Sequence, residues 1–148
     1  MAGPGQSRRL RLLSYNIQSG LTTHNYSQYL TRSWKHLVPV PSRMANLDGI
    51  ARILADYDIV ALQEVDAGSL RSGFVNQIKY LADSAGFKHV YDQANRKIGM
   101  ISQHGNALLS RVRPAAIAEH KLPGLIPGRG VLAVRFGSGP DALHVLIL

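Results

Sequence analysis

The sequence predicts an α/β fold that opens strand–helix–strand–helix and closes in antiparallel strands. Three observations carry this. Met44, Leu47, Ile50, Ala51, Leu54 and Ala55 recur at helical spacing between two apolar runs. The second of those runs, Asp58-Ile-Val-Ala-Leu-Gln-Glu64, is continuous, as in a strand covered on both faces. Further on, Gly137-Ser-Gly-Pro-Asp141 is a strong turn signal between two strand-like stretches and predicts a hairpin.

Taken in order, residues 1–9 read as a flexible N-terminus and 10–148 as the domain. Residues 10–17 read as a strand, with Leu10, Leu12 and Ser14 on one face and Leu13, Tyr15 and Ile17 on the other. Residues 18–43 are polar, aromatic and proline-containing, a long loop with room for one short helix. Such loops are uncommon inside compact domains and often functional. Tyr26, Tyr29, Trp34, Arg32 and Lys35 within it suit base stacking and phosphate contacts. Covering a core edge is the commoner use of such residues. From Met44 the helical pattern runs up to the strand at 58–64. Phe74, Ile78, Leu81, Ala82 and Ala85 then predict a second amphipathic helix, ended by Gly86. Short strands follow at 88–92, 106–110, 115–120, 130–136 and 142–148. There is no internal repeat and no low-complexity segment.

Composition narrows the function classes. The chain has 148 residues, 45% of them hydrophobic, and 17 basic against 9 acidic side chains, for a net charge of +8. A core is affordable and a disordered chain is excluded. Without cysteine there is no disulfide framework, thiolate zinc site or cysteine nucleophile. No run approaches the roughly 18 apolar residues of a membrane span, and no apolar leader stretch follows the first arginines, so a cytoplasmic protein is expected. The positive charge, with twelve arginines among the basic residues, favours an anionic partner such as phosphate. No feature calls for an obligate protein partner. The basic residues are scattered, and their densest run is Arg8, Arg9 and Arg11 at an N-terminus expected to fray.

Two residues carry chemistry. Strands 10–17 and 58–64 are joined by a helical crossover and are therefore expected to be parallel. Their C-terminal ends meet at one sheet edge, where open α/β sheets bind ligands. Those ends hold Asn16 and Glu64. A carboxylate next to the buried run Ile59–Leu62 is expensive unless paired or holding a metal, and its hard oxygens suit Mg²⁺ or Mn²⁺. Asn16 suits holding that carboxylate or donating to a phosphate oxygen. Taken singly, an asparagine at a strand end is ordinarily a turn former and a glutamate there ordinarily solvated. Their joint position at one edge, with Gln63 alongside, is what points to a site.

Ser14-Tyr15-Asn16-Ile17, Asp58 to Asp66 and Gly105-Asn-Ala-Leu-Leu-Ser-Arg111 resemble three successive motifs of the endonuclease/exonuclease/phosphatase superfamily. Arg129-Gly130-Val-Leu-Ala-Val and its hairpin look like the family's next strand pair. The resemblance covers nearly the whole chain from about residue 10. It implies a fold, the N-terminal half of a four-layer α/β/β/α sandwich with a mixed sheet and flanking helices. It also implies a Mg²⁺-dependent hydrolase (Mn²⁺ being the alternative ion) acting on phosphate esters, nucleic acid among them. Glu64 would ligate the metal and Asn16 would lie in the metal and phosphate site. Asn106 and Arg129 are the further substrate-binding candidates, although the strand holding Asn106 reads as structural first and Arg129 suits a supporting salt bridge equally well. Gln-Glu-Val-Asp and Tyr-Asn-Ile-Gln differ from the sequences common in apurinic endonucleases, so general phosphodiester or phosphomonoester hydrolysis is favoured over DNA repair.

The family pattern continues with His-Leu, Gly-Asp-Phe/Leu-Asn and Ser-Asp-His motifs, and none occurs here. The general base and catalytic histidines are accordingly expected beyond Leu148, and this chain alone is expected to be nearly inactive. The six histidines offer no replacement: His144 reads as a core or edge residue, and for His104, just before the Gly-Asn strand, an approach to the cleft is the less favoured reading. His24, His36, His89 and His120 read as surface residues, and Glu119 as solvated. Gly124–Gly130 lacks the ending of a P-loop. Two other classes stand beside the enzyme: a non-catalytic α/β module binding nucleic acid or another polyanion, and a degenerate family member serving as a scaffold. Ending on an apolar strand, the sheet that 142–148 joins is expected to expose an inner face and to favour aggregation.

Overall fold

A computed structural model describes residues 9–17, 40–66, 76–98, 102–123 and 130–148. The elements are β1 (Leu12–Asn16), α1 (Val40–Leu54), β2 (Ile59–Asp66), α2 (Gln77–Ala85), β3 (His89–Ile98), β4 (Ser102–Ser110), β5 (Ala116–Lys121), β6 (Gly130–Phe136) and β7 (Leu143–Ile147). They form a four-stranded sheet in the order β1-β2-β4-β3 and a three-stranded sheet β5-β6-β7. The first is mixed: β1 and β2 are parallel, with Leu12 opposite Ile59, and the remaining pairs are antiparallel. The second is antiparallel throughout. Its β6–β7 turn is the predicted one, and Gly137 and Gly139 both take the positive φ such a turn requires (77° and 73°).

Alternation along β2 explains the layering. Val60 and Leu62 face α1 and α2, joining Leu47, Ile50, Leu54, Ile78, Leu81, Ala107 and Leu109 in one core. Ile59 and Ala61 point the other way and pack with Leu108 against Leu132, Val134, Phe136 and Ile147 of the second sheet. A strand buried on both faces needs the unbroken apolar run seen in its sequence. Among the described residues the result is three layers: helices, mixed sheet, second sheet. Each fully buried leucine contributes about 1.5–3 kcal/mol of transfer free energy to this arrangement.

Several expectations need correction. The second sheet packs on the inner face of the first, so among the described residues no inner face is left open. The open surface is the outer face of the second sheet, where Leu146 and Leu148 are 65% and 66% exposed. Helix α1 starts at Val40, four residues early, because Pro41 sits in the first turn, where a missing N–H has no partner to lose. Ala55 lies beyond the helix end and is exposed. Strands β3 and β4 run well past the predicted 88–92 and 106–110, since their added arms, Ala94–Ile98 and Ser102–Gly105, pair with each other and need no apolar alternation. His144 is exposed on β7, so of its two expected settings the core is excluded. The 18–39 stretch with its aromatic residues, Phe74, and residues 1–8 lie outside the described residues.

Arg11 is not frayed. Its N–H donates to the Asp58 carboxylate at 3.0 Å, its carbonyl accepts from Asp58 and Ile59, and its guanidinium lies 5.2 Å from the Tyr57 ring centre. Arg111, at the same end of the sheet, donates to four carbonyl oxygens: Ala55, Tyr57, Ala85 and Gly86, at 2.9–3.1 Å. It also stacks over Phe87, with its central carbon 4.7 Å from the ring centre. Helix ends present unpaired carbonyls with partial negative charge. One guanidinium answers the ends of both helices and ties them to β4.

Candidate functional site

The far end of the mixed sheet carries the predicted chemistry. Asn16 ends β1 and stands opposite Gln63 of β2, while the Ile17 N–H donates to the Gln63 carbonyl at 3.1 Å. Gln63 in turn donates from Nε2 to Ser14 Oγ at 3.1 Å, tying the two parallel strands by side chain as well as backbone. Asn16 is exposed on the surface and has interactions of its own.

On its other side β2 is irregular. Leu62 pairs with Ala107 and Val65 with Gly105, so Gln63 and Glu64 together oppose the single residue Asn106. This is a β-bulge, a feature that re-aims side chains and recurs beside active sites. Asn106 also stands opposite Gln93 of β3. One line across the sheet therefore reads Asn16, Gln63–Glu64, Asn106, Gln93, one position on each of four strands apart from the doubled bulge. A second irregularity follows on β3, between Ala94 and Arg96.

The two inner members of that line face the second sheet. Asn106 is 3% exposed, and its Nδ2 donates to the carbonyls of Gly130 at 3.3 Å and Ile147 at 3.2 Å. Gln93 is 6% exposed, and its Nε2 donates to the Val131 carbonyl at 3.4 Å. Gln93 was not singled out by sequence: it sits in the polar stretch Asp92-Gln-Ala-Asn-Arg-Lys97, where periodicity marks nothing. Its strand partnership with Asn106 is the only signal, and that needs the register. Arg129, the remaining candidate, lies outside the described residues, immediately before Gly130. Among the described residues no cluster of three or more His, Cys, Asp or Glu is placed to hold a metal ion. The line itself offers one carboxylate-bearing position and several amides, all oxygen donors.

A mixed sheet with helices on one face, a second sheet on the other and a polar line at the ends of its parallel strands defines an α/β-sandwich class. Residues 13–147 match the Endonuclease/Exonuclease/phosphatase family, and the chain belongs to it. Among solved structures it is similar to an endonuclease/exonuclease/phosphatase family protein from Leptotrichia buccalis C-1013-b (TM-score 0.64, 15% identity), over 95% of this chain and 54% of that one. The endonuclease/exonuclease/phosphatase from Beutenbergia cavernae DSM 12333 is also similar (TM-score 0.58, 21% identity), over 93% of this chain and 37% of the other. ANGEL2, a 2',3'-cyclic phosphatase, aligns with a TM-score of 0.56 and 18% identity, covering 85% of this chain and 36% of its own. The chain thus spans about half, or less, of the length of these structures. No curated protein matches it.

Proposed function

We propose that this chain supplies Glu64 and Asn16 to the site of a divalent-metal-dependent hydrolase of phosphate esters, of nuclease, phosphodiesterase or phosphatase type. The observation that carries the reading is the bulge. It doubles β2 at Gln63–Glu64, beside Asn16 and opposite Asn106, in a chain of this family. The donor chemistry fits Mg²⁺, or Mn²⁺ as the alternative, because such ions take one or two carboxylates and fill their remaining positions with water and substrate oxygens. When bound, the ion polarises the phosphoryl oxygen and neutralises charge on the leaving oxygen. Glu64 holds the ion. Asn16 orients the phosphate through its amide, and Arg129 binds the substrate's negative charge. Asn106 acts beneath the substrate as a tie between sheets. The family's general-base and histidine motifs do not occur among these 148 residues, which on this reading hold part of the site and turn over little substrate alone. A phosphodiester such as a 2',3'-cyclic nucleotide, the class acted on by ANGEL2, is a substrate of this type. A cytoplasmic setting completes the reading.

The competing reading, a non-catalytic polyanion-binding module, rests on the net charge of +8. One binding experiment separates them. A labelled dinucleotide is titrated with the chain in Mn²⁺, in EDTA, and with Glu64→Gln. Binding that needs Mn²⁺ and is lost in Glu64→Gln is the expected result. Binding indifferent to both, and falling steeply with salt, supports the polyanion module instead.

A further inference from the structure

Gln93 is an unusual choice for its position. It stands on the inter-sheet face of β3 at 6% exposure, beside the buried amide of Asn106 and at the border of the apolar cluster that fills the rest of that space. Its one hydrogen bond among the described residues, Nε2 to the Val131 carbonyl, is long at 3.4 Å. That carbonyl accepts only from the amide nitrogen, which fixes the orientation of the group and leaves Oε1 buried without a donor among the described residues. A buried acceptor in this state is destabilising relative to an apolar group of the same shape. Packing alone would put methionine or leucine here.

What distinguishes the position is its place in the line. Gln93 is the direct strand partner of Asn106, and Asn106 is the single residue opposite the Gln63–Glu64 bulge. The two amides make three bonds to carbonyls at the start of β6 and the end of β7, namely Gly130, Val131 and Ile147. Those bonds pin β3 and β4 to the second sheet at the level of the bulge. We propose that Gln93 is a positioning residue for the metal-binding end of the sheet. With Asn106, it sets where the bulged strand sits against the second sheet, at a standing cost in stability. The inference rests on the reading of Glu64 as a metal ligand. Direct hydrogen-bond partners of a metal ligand change metal affinity by about 10–100-fold when removed; Gln93 acts one step further out, through Asn106 and the bulge, so the lower end of that range is expected.

The test pairs two readouts on the 148-residue chain: Mn²⁺ affinity by electron paramagnetic resonance, and the thermal midpoint. Gln93→Met keeps the length of the side chain and removes both polar atoms. It is expected to leave the midpoint unchanged or raised and to weaken Mn²⁺ binding by about tenfold. Gln93→Leu should do the same. Leu81→Val, in the helix-side core, is the control: a lower midpoint with Mn²⁺ affinity unchanged. Unaltered Mn²⁺ affinity in both Gln93 variants overturns the proposal, and so does a sharp loss of folding in both, which would make Gln93 a structural anchor. If the unsubstituted chain and Glu64→Gln bind Mn²⁺ alike, the site reading itself fails and this inference falls with it.

Discussion

Arg111 ties the ends of both helices to the mixed sheet. Its four carbonyl acceptors belong to the ends of α1 and α2 and the turns that follow them. A lysine brings no planar fork and cannot reach several of them together. Arg111→Ala should destabilise the chain by about 3 kcal/mol, given typical values for hydrogen bonds to charged groups, and Arg111→Lys should recover only a minor part, both read by urea unfolding. The sequence marked Arg111 only as the end of a motif, because its partners are backbone carbonyls distant along the chain. Asn16 and Glu64 were legible because strand ends and an acidic group beside an apolar run are local signals. Gln93 was not, since its meaning arises from register and from burial beneath a second sheet.

At the scale of elements, α2 shows how local chemistry sets boundaries. Asn76 caps it by accepting from the Lys79 N–H at 3.0 Å, and Gly86 ends it at φ 74° while the Phe87 N–H reaches back to the Ala82 carbonyl. Asn76→Ala should cost about 1 kcal/mol. Gly86→Ala should cost about 1–2 kcal/mol for the left-handed backbone, although its Cβ would meet only Arg111 Nη1 at 3.6 Å. Denaturant midpoints check both. The two helices are joined by a hydrogen bond from the Tyr80 hydroxyl to Asp48. That bond, followed by burial and the Asp48 charge, raises the Tyr80 pKa above its ordinary value. The folded state then holds this proton more tightly than the unfolded chain, so the contribution is full below about pH 10 and is lost as pH rises through the folded value. Tyr80→Phe should remove that alkaline decline in stability while leaving neutral pH behaviour nearly flat. The helices and buried strands were readable from apolar period. The long arms of β3 and β4 were not, because polar strands paired with each other leave no periodic trace.

For the whole molecule, the architecture assigns the positive charge differently from composition. Arg11 and Arg111 are frame residues, engaged at the end of the sheet away from Glu64, so net charge overstates what is available to an anionic ligand. The apolar exposure also moves, from an expected inner sheet face to the outer face of β5–β7. Alternation puts Ala118, Ala133 and Leu146 side by side on that face. Leu146→Lys should reduce concentration-dependent self-association in light scattering, with the thermal midpoint unchanged, since no packed core is touched. The pairing of two sheets was carried by the alternation in β2 and β6 but named only through family resemblance, because sheet-on-sheet packing is a long-range outcome. On the proposed reading Glu64 holds a divalent metal at the end of the mixed sheet. This is tested most directly by Mn²⁺ titration of the chain and of Glu64→Gln, followed by electron paramagnetic resonance. Saturable binding of one ion that disappears in Glu64→Gln, with the thermal midpoint of the metal-free protein staying in place, is the expected result. Equal binding by the two proteins would contradict that reading.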